Sequence, residues 1–180
     1  MTGADLIRWT IWLATAAYFG RWICQWFPAH ATEQARLRRA RLCWTAACAL
    51  LWIHVACAFQ FYHHWSHVHA VAHGAEQTRR VVGFEFGEGI WTNYVTMGLW
   101  LVDVVWWWVN PQSFAVRPRW LNVTWQSYLA FIGFNATVAF AGGFVRWGTL
   151  AMMTLIIISL MISRRRLKKT AVPPPFSHDS

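Results

Sequence analysis

Between residues 120 and 163 the chain runs for 44 residues with a single charged side chain, Arg146. As one helix that stretch extends ~66 Å, at ~1.5 Å per residue. The hydrocarbon layer of a bilayer is only ~30 Å thick. The run therefore predicts two membrane spans, divided at Ala141-Gly142-Gly143-Phe144-Val145-Arg146, where paired glycines and an arginine mark a tight turn. Three earlier apolar runs have the length of one span each. The fold expected is all-α and integral to a membrane, with spans near 6–27, 42–62, 90–109, 120–141 and 145–162. These form one domain over 1–163, with a histidine-rich outer loop at 63–89 and a basic, proline-containing tail at 164–180.

Composition agrees, with 13% charged residues against 57% apolar, where soluble domains carry about a quarter charged. Too little charge remains to coat a water-facing surface. The net charge of +9 suggests nucleic acid at first sight, but the basic residues flank the apolar runs. That placement is what membrane topology requires, so no nucleic-acid partner is expected. Cys24, Cys43, Cys48 and Cys57 make no C-x-x-C pair and read as small buried residues.

Sidedness follows from the arginines and lysines. With five spans, the N-terminus outside and the C-terminus inside, eleven of the sixteen basic residues fall on the inner side. Four (Arg8, Arg79, Arg80 and Arg146) fall outside, and Arg21 lies near the inner end of the first span. Four spans with both termini inside would put the Arg36–Arg41 group and the Arg117/Arg119 pair on the outer side. Thirteen of the fifteen tryptophans then lie near one interface or the other, with Trp52 and Trp100 at mid-depth. Ala14-Thr15-Ala16 resembles a signal-peptide cleavage site, yet Arg8 interrupts the apolar stretch such a peptide needs. The segment is read as a span.

Six of the eight histidines occupy twenty residues: His54, His63, His64, His67, His69 and His73. With no proline and one glycine between Trp52 and Arg80, one continuous helix is expected there. On it His63, His64 and His67 share a face, and His69, His73 and Glu76 share another, with Arg80 a turn beyond. Imidazoles at i,i+4 can share a transition metal such as Zn, Cu, Fe or Ni. The alternatives are an interfacial aromatic cluster for the first trio and a solvated face with a Glu76–Arg80 pair for the second. His54 is the only histidine deep in a span, so a haem would need an axial ligand from a second copy or a partner subunit. Di-iron desaturases spread their histidine boxes over several segments, unlike this chain.

Asp103, His54 and Asn135 are the polar groups expected deep in the membrane, with Asn93 near the outer rim. Two readings stand for them: a proton or ion path from the histidines toward Asp103, or interhelical hydrogen bonds that specify packing. Glu85 and Glu88 in the glycine-rich segment 83–89 can supply further oxygen ligands. No strand precedes its Gly-x-Gly, so nucleotide binding is not supported.

His54, His63-His64-Trp65-Ser66-His67, Gln77-Thr78, Asn93-Tyr94 and Asp103, about a third of the chain, resemble small multi-pass bacterial membrane proteins of no assigned function. The resemblance implies a bacterial inner-membrane setting and no particular activity. The leading expectation is extracytoplasmic histidines that bind a transition metal, or complete a haem or metal site with a partner. An accessory or structural subunit with interfacial histidines is the alternative. A membrane enzyme or proton-coupled transporter using His54 and Asp103 is a third.

Overall fold

The structure, a computed structural model, describes residues 2–26, 32–135, 147, 150 and 154. Its chain divides into two compact units, Met1–Trp125 and Gln126–Ser180. Among the described residues there are helices and no strand: α1 Gly3–Trp26, α2 Glu33–Ala58, a π-helical turn Phe59–His63, α3 His67–Val82, α4 Gly89–Val109, α5 Pro111–Ala115 and α6 Arg119–Phe134. Apart from residues 147, 150 and 154, the expected last span lies outside the described residues, as does the basic tail.

Local sequence explains the helix starts. Thr32 accepts a bond from the Ala35 amide at 3.3 Å and begins α2, and Ser66 does the same for His69 at 3.3 Å and begins α3. Asn110 caps α5 from the Ser113 amide at 2.9 Å, with Pro111 just inside the helix. Gly83, at φ 89°, supplies the left-handed residue that ends α3.

Helices occupy the first four expected spans as far as these are described. One of them, α2 continued by the π turn (Glu33–His63, 31 residues), is long and apolar enough to cross a membrane by length and composition. The fivefold crossing expected from the sequence is therefore not established by the helices themselves. α1 carries Asp5, Arg8 and Arg21, α4 carries Asp103 among five tryptophans, and α6 is described over 16 residues.

α1 and α2 pack as an antiparallel pair, with Gly20 against the Cys43 sulfur and with Ala40, Ala47 and Cys48 buried. Small side chains of this kind let helix backbones approach closely. Trp44 on α2 is fully buried and meets Trp100 of α4 at 4.7 Å and Tyr18 of α1 at 5.9 Å between ring centroids. Three helices thus converge on one aromatic core. Along α4 the buried stripe is Thr96, Trp100, Asp103 and Trp107, while Val95, Leu99, Val102 and Val105 are exposed.

The return from α3 to α4 depends on one close approach. A methyl group added at Gly87 would overlap the Val71 carbonyl oxygen, a backbone atom that cannot yield. The same turn is pinned by Thr78 Oγ1, which donates to the Phe86 carbonyl at 3.1 Å. Gly87→Ala is expected to cost about 1–3 kcal/mol, as overpacking does. Gly98→Ala meets nothing within 4 Å and should stabilise α4 by about 0.5–1 kcal/mol. Thermal unfolding in detergent of the two variants side by side checks both signs.

Candidate functional sites at the two ends of α2

At the end of α2 that leads into α3, the continuous histidine helix expected from the sequence is not formed. The backbone widens into the π turn and then reverses at His64 and Trp65, at φ 48° and 58°. No proline or glycine announces the break, because Ser66 starts a new helix with its own side chain. A positive φ is uncommon for a non-glycine residue and costly for one as bulky as Trp65. The indole is held there by a 2.9 Å bond to Gln60 Oε1 and by contact with Phe59.

Because the helix breaks, His63, His64 and His67 do not share a face. His67 Nδ1 lies 3.1 Å from the Tyr94 hydroxyl, and its ring packs on Trp91 at 5.1 Å, fastening α3 to α4. His63 instead meets His73 across the reversal, with ring centroids 5.4 Å apart. His69 and His73 are exposed. Glu76 takes Arg80 Nε at 2.7 Å and Arg79 Nε at 2.9 Å, so its carboxylate is already engaged. Among the described residues no three His, Cys, Asp or Glu side chains converge as a metal site. Two adjoining imidazoles are what the geometry offers.

The His63 imidazole is held below its ordinary value near 6.5 by partial burial, then by repulsion from His73, His69 and His64. The unfolded chain therefore takes up the proton first as pH falls. Stability is full above pH 6.5, declines as pH drops from there toward the folded value, and levels off below it. His63→Gln should flatten that decline. Unfolding midpoints measured between pH 7.5 and 5 check it; an unchanged slope in the variant would assign the dependence elsewhere.

His54 serves a different contact. Its Nδ1 lies 3.0 Å from the Ile7 carbonyl and 3.3 Å from Thr10 Oγ1, tying α2 to α1. The carbonyl can only accept, which places the proton on Nδ1. Asn135, in the second unit, donates to the Phe131 carbonyl one turn back at 2.8 Å. Asn93, Glu85 and Glu88 are exposed.

At the opposite end of α2 lies a cluster that the sequence pointed to only through Asp103. Asp103 Oδ1 accepts from Arg117 Nη1 at 2.6 Å, and Oδ2 accepts from Trp44 Nε1 at 2.8 Å. Arg117 returns to this depth because α5 folds the chain back beneath α4. Phe114 stacks on Trp107 at 4.6 Å, and the Arg117 guanidinium lies 4.0 Å over the Phe114 ring. Arg117 also donates to Asn122 Oδ1. Arg21 of α1 is 3% exposed and sits 3.9 Å over the Trp44 ring. With both Asp103 oxygens bonded, Asp103 is an ion-paired bridge between helices and not a free terminus for a proton path.

Beside this cluster opens a cavity of about 700 Å³ whose lining, among the described residues, includes Arg21, Arg38, Arg41, Arg117 and Arg119 and no carboxylate. In the sequence Arg21 and Arg117 read only as markers of sidedness. The missed signal was an acid isolated in an apolar run, with an arginine fourteen residues later and another inside the first span. Compared with known proteins, the chain matches no family, no curated protein and no solved structure.

Proposed function

We propose that this chain is a multi-pass helical protein of the bacterial inner membrane. It crosses five times, with its N-terminus outside and its C-terminus inside, and acts as a non-enzymatic accessory or structural subunit of a membrane complex. The observation that carries the reading is the inverted burial along α4: Val102 is 63% exposed while Asp103 beside it is 8% exposed. In water such an arrangement forfeits hydration of the carboxylate and leaves apolar area wet. In lipid both placements are favourable, because chains face outward and ionisable groups turn to partners inside.

The accessory reading is supported by what the polar groups do. Asp103 joins α4 to α2, His54 joins α2 to α1, and His67 joins α3 to α4. Each holds two helices in register. A second reading, a transition metal held at the outer end, is favoured by the adjacency of His63 and His73. Two imidazoles leave the remaining positions of such an ion to water or to a partner subunit.

Two measurements test these readings, the first their shared membrane setting and the second the choice between them. Alkaline carbonate washing should leave the protein in the membrane pellet, and release into the supernatant would defeat the membrane assignment. Detergent-purified protein should carry well under one equivalent of Zn, Cu, Fe or Ni and no Soret band if the histidines are packing residues. Stoichiometric metal that is lost in His63→Ala and His73→Ala would establish the second reading instead.

A further inference from the structure

The arginine-lined cavity has a charge balance that its own residues do not close. Two guanidiniums, those of Arg21 and Arg117, are buried there against one carboxylate. Asp103 is within electrostatic reach of both, yet its oxygens are bonded to Arg117 and Trp44. Among the described residues, one positive charge therefore stays buried without a counter-ion. Arg21 is also short of hydrogen bonds: its Nε and Nη1 are shielded from solvent and have no partner among the described residues. The Nε of Arg41, on the same wall, is in the same condition.

Buried polar groups in folded proteins are almost always satisfied, and a buried charge without partners is among the most expensive arrangements available. Flanking arginines as mere markers of sidedness explain Arg38 and Arg119, which are exposed. They do not explain Arg21, whose head lies inside.

We propose that this cavity is an anion site that takes a phosphate group, with Arg21 as its buried anchor. Guanidinium forks match phosphate oxygens two at a time, and five of them around one space favour an anion of more than one negative charge over a monocarboxylate. The volume suits a phosphate together with a small attached group. Trp107 and Phe114 give it one apolar wall. The excess of buried positive charge exists whether or not the chain lies in a membrane. Only the origin of the phosphate rests on the membrane assignment: with this end of α2 inside, the group arrives from an inner-leaflet lipid headgroup or from the cytoplasm.

Thermal unfolding and calorimetric titration of the full chain in a neutral detergent test the site. The probes are inorganic phosphate, dioctanoyl phosphatidylglycerol, dioctanoyl phosphatidylcholine and acetate, each at matched ionic strength. Phosphate or phosphatidylglycerol is expected to raise the unfolding temperature and to titrate as one site, with acetate and phosphatidylcholine inert. A response to phosphate identifies a soluble source, and a response to phosphatidylglycerol alone identifies the lipid. Arg21→Gln leaves Asp103 balanced by Arg117, so it should fold, and it should bind at least about tenfold more weakly. Arg38→Gln, at an exposed position, should weaken binding a few-fold without changing the fold. The proposal is overturned if neither phosphate probe acts on the wild type, or if folded Arg21→Gln responds as the wild type does. Should Arg21→Gln fail to fold, wild-type binding by Arg38→Gln overturns it.

Discussion

Asp103→Ala is expected to lower stability by about 3–5 kcal/mol, the usual cost of removing one partner from a buried ion pair. The loss is large because Arg21 and Arg117 would then face one another with no carboxylate between them, and Trp44 would lose the acceptor of its 2.8 Å bond. Asp103→Asn separates the two effects. The amide oxygen still accepts from Trp44, but neither guanidinium is neutralised, so most of the loss should remain. In the double variant Asp103→Asn/Arg117→Gln one buried positive charge is removed again. The cycle should return a coupling of about 1–3 kcal/mol, within the range for residues in contact. Unfolding in mixed micelles, read by circular dichroism, measures all four corners. Additive losses would mean that the bridge contributes nothing beyond its separate side chains.

Trp44→Ala should be as damaging, at about 3–5 kcal/mol for a large aromatic removed from a closed core. Trp44 is fully buried, contacts Tyr18 and Trp100, carries the Arg21 guanidinium on its face and bonds Asp103. Its removal therefore opens a cavity where α1, α2 and α4 meet and leaves Asp103 Oδ2 unsatisfied. Trp44→Phe keeps most of the ring and deletes the N–H, so about 1–3 kcal/mol is expected from the unsatisfied carboxylate oxygen alone. Because Trp44 and Asp103 act on each other, Trp44→Phe should cost less in an Asp103→Asn background than in the wild type. Equal costs in both backgrounds would sever that link.

How much of this was legible beforehand differs by feature. Helices at the apolar runs 6–27, 42–62, 90–109 and 120–141 were readable as far as these are described, because Pro28, Pro111 and Arg119 bound them. The start of α2 at Glu33, ahead of its apolar run, was not, because the Thr32 cap sets it within a polar, basic segment. The reversal at His64–Trp65 was not. It is set by the Ser66 cap and the Trp65–Gln60 bond, and neither carries a breaker residue. Missing it assigned His63 to the face of His67, when the fold sets it beside His73. Asp103 was visible as an isolated acid, but its partners Trp44 and Arg117 lie 59 and 14 residues away. No helical periodicity links such positions; only packing does. Arg21 was read as a marker of sidedness because its burial arises from Trp44 and Trp107, on two other helices.

The proposed function rests on one premise, that lipid and not water surrounds α1, α2 and α4. Reporter fusions in intact cells test it most directly, with alkaline phosphatase active only outside the cytoplasm and a green fluorescent protein folding only within it. The account predicts phosphatase activity for an insertion in segment 76–80, and fluorescence for an insertion near residue 34, an insertion near residue 117 and a C-terminal fusion. Fluorescence from the 76–80 insertion, or phosphatase activity at either arginine-rich segment, would contradict it.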